Sequence, residues 1–178
     1  LQIRGRRKDS MTTLYNVISE DWFIAYKDGS EDFIPDELWP YTLDIYKQFE
    51  VLVMGRRTYE TIQTYPASFY KPLEALSLVK AVVSHDPEFK AKPGYQVLTS
   101  PEEAIVLRHK TLVSTGPTLN NYLLKNGLID KVILHQVPTA TAEGIPVFDA
   151  QYKNILTLES ESDARYAKLL TYKVRKKI

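Results

Sequence analysis

Three short stretches set polar or glycine-bearing residues directly after an apolar run: "VLVMGRRTYE" (51–60), "VVSHD" (82–86) and "VSTGPTL" (113–119). In the first, Gly55 permits close backbone approach, and Arg56, Arg57 and Thr58 open a helix. A helix start already carries partial positive charge, so two cations there are unfavourable unless an anion joins them. Backbone amides, the helix dipole, two guanidinium groups and a threonine hydroxyl together describe a phosphate site. The alternative is that one arginine pairs with a nearby carboxylate while the other is solvated. In the second stretch, Ser84 and His85 offer a hydroxyl and an imidazole to phosphate or ribose oxygens, although a lone histidine there is more often a loop residue. In the third, Gly116 separates strand from helix and Pro117 suits the first helical position. The hydroxyls of Thr115 and Thr118 and the helix amides as far as Leu119 could take a second phosphate, or the segment is a plain strand-to-helix turn. It is not a G-x-G-x-x-G dinucleotide fingerprint.

Other chemistries fit less well. His85, His109 and His135 are scattered without H-x-x-x-H or H-E-x-x-H spacing, so no metal site is expected. No G-x-S-x-G elbow or G-x-x-x-x-G-K-[ST] loop occurs. The chain has no cysteine, which excludes disulfides, thiol catalysis and cysteine-based zinc sites and fits a reducing compartment. A net charge of +1 gives no reason to expect a nucleic-acid partner. No run approaches the roughly 18 apolar residues of a membrane span, and a cytoplasmic location is expected. At 178 residues one domain is expected. The opening "LQIRGRRKDS" is basic and lacks a hydrophobic period, so residues 1–10 read as an upstream extension or cloning remnant, with 11–178 as the domain.

Strands are expected at Leu14 to Ser19, "VLVM", around Lys80 to Ser84, "YQVLT", "TLVST" and "DKVILHQVP", with two more in the tail, joined by a turn near Ser162 to Arg165. Helices are expected over "PDELWPYTLDIYKQF", over "RTYETIQTY" as far as Pro66, from Ser100 to about His109, and over "PTLNNYLLKNG" to Gly127. Strands alternating with short helices imply an α/β fold with a largely parallel sheet and an antiparallel pair at the C-terminal end. Ligands of such sheets sit beyond the carboxyl ends of strands, where the three stretches fall.

In this order the stretches resemble the dihydrofolate reductase-like superfamily, and within it stand-alone relatives of the reductase domain of the riboflavin-biosynthesis deaminase/reductase. The likeness covers nearly the whole chain from Met11. It rests on "ISEDWFIA", "VLVMGRRTYE", "VVSH", "VSTGPTLNNYLLKNGLIDKVILHQVPTATAEGIPVF" and the closing "LLTYKVR". It implies a three-layer αβα fold with a mostly parallel central sheet and a C-terminal antiparallel hairpin. It also implies NADPH as cofactor and reduction of a C=N or carbonyl-type bond in a small pterin- or aminopyrimidine-like heterocycle. The implied activity resembles that of 5-amino-6-(5-phosphoribosylamino)uracil reductase. The alternative is a non-catalytic dimeric nucleotide- or ligand-binding protein that kept the fold.

Carried over residue by residue, the resemblance gives the cofactor's phosphates to Gly55, Arg56, Arg57 and Thr58, and the adenosine 2′-phosphate neighbourhood to Ser84 and His85. Thr115 and Gly116 stand at the family's glycine pair, and Gly116 to Leu119 would line the pyrophosphate. Ile24 and Ala25 would lie near the nicotinamide. "IPDEL" resembles the segment carrying the acidic residue of dihydrofolate reductases, which falls on Glu37 with Asp36 beside it in the substrate pocket. Asp21 is the other candidate for the catalytic carboxylate. Asp36 and Glu37 also read as helix-start acids, and Asp21 as a turn or cap residue. Trp22 stands where the family has glycine and would alter or partly fill the substrate mouth. Nothing matches the H-x-E and P-C-x-x-C of the deaminase half. Relatives of this type imply a homodimer.

Overall fold

Val51, Leu52, Val53 and Met54 are all buried, as a strand covered on both faces requires. They form β3 (Val51–Gly55) of a computed structural model that describes residues 4–6 and 8–176. The expected N-terminal extension thus lies partly outside the described residues. The described chain divides into two compact units. One holds the residues up to Thr12 together with Trp39–Thr115, the other Thr13–Leu38 and the residues from Gly116 onward.

In the first unit the strand order is β5 (Tyr95–Leu98), β4 (Val79–Val83), β3, β6 (Lys110–Val113), and all neighbours are parallel. Parallel neighbours need crossovers. These are α2 (Arg56–Gln63) and α3 (Ala67–Glu74) before β4, and α4 (Pro101–Ile105) before β6, while α1 (Trp39–Tyr46) leads into β3. The sequence reading stopped at Pro66 and missed α3. Pro66 is the residue before the helix, where a missing N–H costs nothing, and Leu73 anchors the helix with no exposed surface even though Pro72 lies inside it. The helix expected from Pro35 to Phe49 is instead a 3-10 turn over Asp36–Leu38 followed by α1. The helix expected to run to about His109 ends at Ile105. Lys80 is buried on β4, and its ammonium donates to the Leu76 carbonyl (2.6 Å) just past α3. Burial lowers its pKa.

The second unit orders β1 (Met11–Ile18), β7 (Lys131–Gln136), β10 (Lys168–Val174), β9 (Leu156–Asp163). Here β1 and β7 are parallel, and β10 runs antiparallel to both β7 and β9, giving the expected C-terminal hairpin. Helix α5 (Pro117–Lys125) closes at Gly127, whose φ of +66° suits glycine. Asn120 of α5 has no exposed surface, and its amide donates to Asn16 Oδ1 (3.2 Å) and the Val147 carbonyl (2.9 Å). A two-stranded ladder of β2 (Phe23–Ala25) and β8 (Ile145–Pro146) was missed in the sequence, since strands this short show no period. The fold is α/β with mostly parallel strands. Among the described residues no helix is long and apolar enough to cross a membrane.

The carboxyl ends of β1 and β7 are level, with Ile18 beside Gln136, so the loops that follow them meet. Asp21 ties them together. Its Oδ1 accepts from the Ser19 hydroxyl (2.6 Å), the Thr141 amide (3.1 Å) and the Thr141 hydroxyl (3.3 Å), and its Oδ2 accepts from the Ala142 amide (2.8 Å). Burial alone would raise the Asp21 pKa, but these hydrogen bonds outweigh it and lower it from 3.8 to about 2. Two residues held by this loop pair, Trp22 (φ 70°) and Ala142 (φ 65°), occupy the left-handed region without being glycine.

Two outcomes are expected. A carboxyl with a depressed folded pKa adds stability above its unfolded value, and that stability is lost as pH falls through the folded value. Asp21→Asn is expected to cost about 1–3 kcal/mol at pH 6, since one amide N–H then faces a donor. Urea denaturation should show the gap between wild type and variant closing as pH falls from about 4 toward 2; a gap constant over that window would remove the clamp. Separately, a Cβ on Gly144 would stand 2.3 Å from the Ala25 carbonyl oxygen and 3.1 Å from the Phe23 Cβ. Gly144→Ala must displace backbone and is expected to cost about 1–3 kcal/mol in the same assay.

Candidate functional site

Register assembles the polar strand ends of the first unit. Gly55 lies beside Val83, and Val53 beside Val113, so β3, β4 and β6 all stop at the same edge. The Ser84 amide then donates to the Leu98 carbonyl (2.9 Å) and the Ser114 amide to the Val53 carbonyl (3.0 Å), which fixes the start of each exit loop. The Gly55 amide donates to Thr115 Oγ1 (3.0 Å), and the Thr58 and Thr115 hydroxyls are 3.2 Å apart. A Cβ at Gly55 would stand 3.3 Å from the same Thr115 oxygen, a tight contact that a shift of a few tenths of an ångström would relieve. Thr115 is buried and hydrogen-bonded rather than projecting outward. Helix α2 has Gly55 as its N-cap and so starts without a capping side chain.

The two arginines part company at that helix start. Arg56 Nε donates to Glu60 one turn later (2.8 Å), its Nη1 to Asp86 Oδ2 beyond β4 (2.9 Å), and its guanidinium lies 4.6 Å over the Phe89 ring. Arg57 is exposed, and among the described residues its guanidinium has no hydrogen-bond or ion-pair partner. Pairing with a carboxylate therefore describes Arg56, and a solvated cation describes Arg57. Ser84 is buried, its hydroxyl accepting from the Asp86 amide (3.2 Å), while His85 is exposed. The sequence reading singled out neither Asp86, Glu60 nor Phe89. The Arg56–Glu60 spacing of four residues on one helix was a readable signal; Asp86 becomes a neighbour only through the pairing of β3 with β4.

In the second unit, Gly116 is the N-cap of α5, again without a capping side chain. Its φ of −84° and ψ of −178° are open to any residue, and a Cβ there would meet nothing within 4 Å. Neither conformation nor packing demands a glycine at this position. Pro117 takes the first turn of α5, with Thr118 exposed and Leu119 half-buried. Ile24 and Ala25 lie on β2, Ala25 buried. The indole of Trp22 packs edge-on to Phe148 (6.0 Å) and against Tyr172 (5.7 Å), and the Lys153 ammonium sits 4.6 Å from its ring. Asp36 and Glu37 are exposed on the 3-10 turn and have no hydrogen-bond or ion-pair partner among the described residues.

His135 is buried beside Tyr15, whose hydroxyl lies 2.6 Å from His135 Nδ1, with the two rings edge to face. Burial lowers its pKa to about 4, so the imidazole is neutral at pH 7 and packs as a core residue. Among the described residues no group of three or more histidine, aspartate or glutamate side chains could hold a metal ion.

No protein-family model matches the chain. It is 26% identical over 146 residues to the uncharacterized protein YwjB of Bacillus subtilis strain 168, an overlap that covers 77% of this chain and 82% of YwjB. Solved structures resemble it over almost its full length at low identity. A Shewanella sp. PV-4 protein provisionally named for riboflavin biosynthesis matches with a TM-score of 0.72 and 18% identity, covering 93% of this chain and 99% of that one. A Thermotoga maritima diaminohydroxyphosphoribosylaminopyrimidine deaminase/5-amino-6-(5-phosphoribosylamino)uracil reductase matches with a TM-score of 0.71 and 14% identity, covering 94% of this chain and 57% of that one. Enterococcus faecalis dihydrofolate reductase, solved with NADP(H), matches with a TM-score of 0.67 and 17% identity, covering 94% and 98%. The chain has a dihydrofolate reductase-like α/β fold.

Proposed function

We propose that this chain is an NADPH-dependent reductase of a small heterocycle of the pterin or aminopyrimidine class, resembling the 5-amino-6-(5-phosphoribosylamino)uracil reductase domain. The observation that carries the reading is the start of α2, which combines a helix amino terminus with no capping side chain, the Thr58 hydroxyl and the unpartnered Arg57 guanidinium. A solvated cation beside a helix start that has no capping side chain favours an anion at that position. That a dihydrofolate reductase of the same fold was solved with NADP(H) supports reading that anion as a phosphate of NADPH.

On this reading Gly55, Arg56, Arg57 and Thr58 face phosphate, and Ser84 and His85 lie toward the adenosine end. Thr115 braces Gly55, while Gly116, Pro117, Thr118 and Leu119 serve the pyrophosphate and Ile24 and Ala25 the nicotinamide. The bound cofactor supplies the hydride. The chain must deliver the matching proton to the heteroatom of the reduced bond. Asp21 is unsuited to that step, since both its oxygens accept hydrogen bonds and its pKa is held at about 2. Glu37, exposed and unpartnered, takes the role, with Asp36 and Trp22 beside the substrate. The cytoplasmic location and the homodimer belong to the same proposal.

A second reading, a nucleotide-binding protein without turnover, is favoured by one feature. Trp22 holds a left-handed backbone and packs its indole edge-on to Phe148 and tilted against Tyr172, where the resembled family has a glycine.

Thermal shift and calorimetric titration test the first part. NADPH is expected to raise the melting temperature in a concentration-dependent way, by about 2.7 kcal/mol of stability at a hundredfold excess over Kd. Arg57→Ala is expected to weaken NADPH by tenfold or more. No shift at millimolar NADPH would sink the proposal. Oxidation of NADPH with a panel of pterins and aminopyrimidines tests the second part. Glu37→Gln should lower kcat by a factor of about 10² or more while leaving the NADPH Kd near wild type. Tight NADPH binding with no oxidation across the panel would instead select the second reading.

A further inference from the structure

The ion pairs that hold Arg56 have a consequence for which dinucleotide the protein takes. Glu60 and Asp86 approach the guanidinium from two sides at 2.8 and 2.9 Å, so this corner carries two carboxylates for one cation. Asp86 is itself fixed. Its Oδ1 accepts from the Glu88 amide (2.9 Å), its own amide donates to Ser84 Oγ (3.2 Å), and Phe89 of the same turn lies under the guanidinium at 4.6 Å. The carboxylate that faces Arg56 is thus part of a closed turn rather than a loose side chain that swings aside. The hydrogen bonds from Glu88 and Arg56 also lower its pKa, so it stays ionised at neutral pH.

We propose that Asp86, supported by Glu60, sets the choice between phosphorylated and unphosphorylated adenosine ends, by occupying Arg56 with an ion pair that a 2′-phosphate must compete with. This rests on the reading that a nicotinamide dinucleotide binds at the start of α2. A guanidinium has five N–H donors, and two of them are already committed, at Nε and Nη1. A phosphate dianion can reach the remaining ones only while standing close to two fixed negative charges. A ribose 2′-hydroxyl meets no such penalty and can donate to a carboxylate. The consequence is a preference for NADPH over NADH smaller than two arginines in the phosphate position would give without these carboxylates. Asp86 is a specificity-determining residue, and its neutralisation releases the selectivity that Arg56 is able to give.

The test is the ratio of affinities, measured by isothermal titration of wild type, Asp86→Asn and Glu60→Gln with NADPH, NADH, 2′,5′-ADP and 5′-AMP at low and moderate salt. Asp86→Asn keeps an oxygen for the Glu88 amide and so preserves the turn. The preference for NADPH over NADH, and for 2′,5′-ADP over 5′-AMP, is expected to rise roughly tenfold in Asp86→Asn at low salt, less in Glu60→Gln, and to shrink as salt is added. A folding defect would weaken all four ligands together and leave the ratios where they were. Ratios that stay constant, or that fall in Asp86→Asn, overturn the proposal, the latter by showing that Asp86 aims Arg56 at the phosphate instead of competing for it. If none of the four ligands binds wild type or either variant, the cofactor reading itself falls, and this inference falls with it.

Discussion

The strand ends of the first unit depend on one constraint, the parallel register of β3 between β4 and β6. Parallel pairing sends all three strands out at the same edge: Gly55 pairs with Val83, so β3 and β4 end level, while β6 ends at Val113 beside Val53. The four buried apolar residues of β3 make it a central strand covered on both faces, and the ladders to β4 and β6 along its two edges hold the register. Once it is fixed, Gly55, Ser84 and Thr115 become neighbours of the same edge without any specific attraction between them. The Gly55 amide then donates to Thr115, whose oxygen would be a tight neighbour for any Cβ at that position. A glycine that reads in the sequence as room for a ligand is here also room for a threonine.

The second unit solves a related problem differently. Its parallel pair, β1 and β7, is also level at the carboxyl end, but the loops that leave it contain two non-glycine residues in left-handed conformations. Such residues persist only where the surroundings determine them. Asp21 is that determinant, and a carboxylate with four hydrogen-bond donors around it supplies more orienting force than a neutral side chain would. The same saturation makes it a poor proton donor. A carboxylate committed to holding two loops and one available for proton transfer have opposite needs, and Asp21 meets the first.

The strong periodic elements were legible in the sequence. The buried strands, the strand-to-helix junctions after β3 and β6, the closing glycine of α5 and the C-terminal hairpin follow from apolar runs, Gly127 and turn residues, whereas the stretch after β4 leads by a loop into β5. The misses share a cause, which is that tertiary contacts decided what local pattern could not. Leu73 holds a helix that contains a proline, β2 and β8 exist only as partners of one another, and the helix expected from Pro35 is shortened to α1. At the candidate site the residue types were legible and the pairings were not. Nothing local in "GRRTYE" says which arginine is neutralised, because Asp86 lies 30 residues away and is brought in by strand pairing. The glycine position filled by Trp22 was visible, and so was its oddity. The direction of the indole, onto Phe148 and Tyr172, depends on residues more than a hundred positions later.

Charge at the start of α2 therefore needs a finer description than two cations in an unfavourable place. Arg56 is offset by its own carboxylates, and the helix gains from the Glu60 contact one turn on. Its guanidinium further lies over the Phe89 ring, 4.6 Å from the centroid. Arg57 receives none of this, and it stands at a helix terminus whose partial positive charge repels it. The two adjacent arginines thus differ in kind: Arg56 is paired with Glu60 and Asp86, whereas the Arg57 guanidinium has no ion-pair or hydrogen-bond partner among the described residues. On the function proposed above, Arg57 is the cation available to an anion, and Arg56 is the one whose carboxylates an incoming phosphate must displace or tolerate.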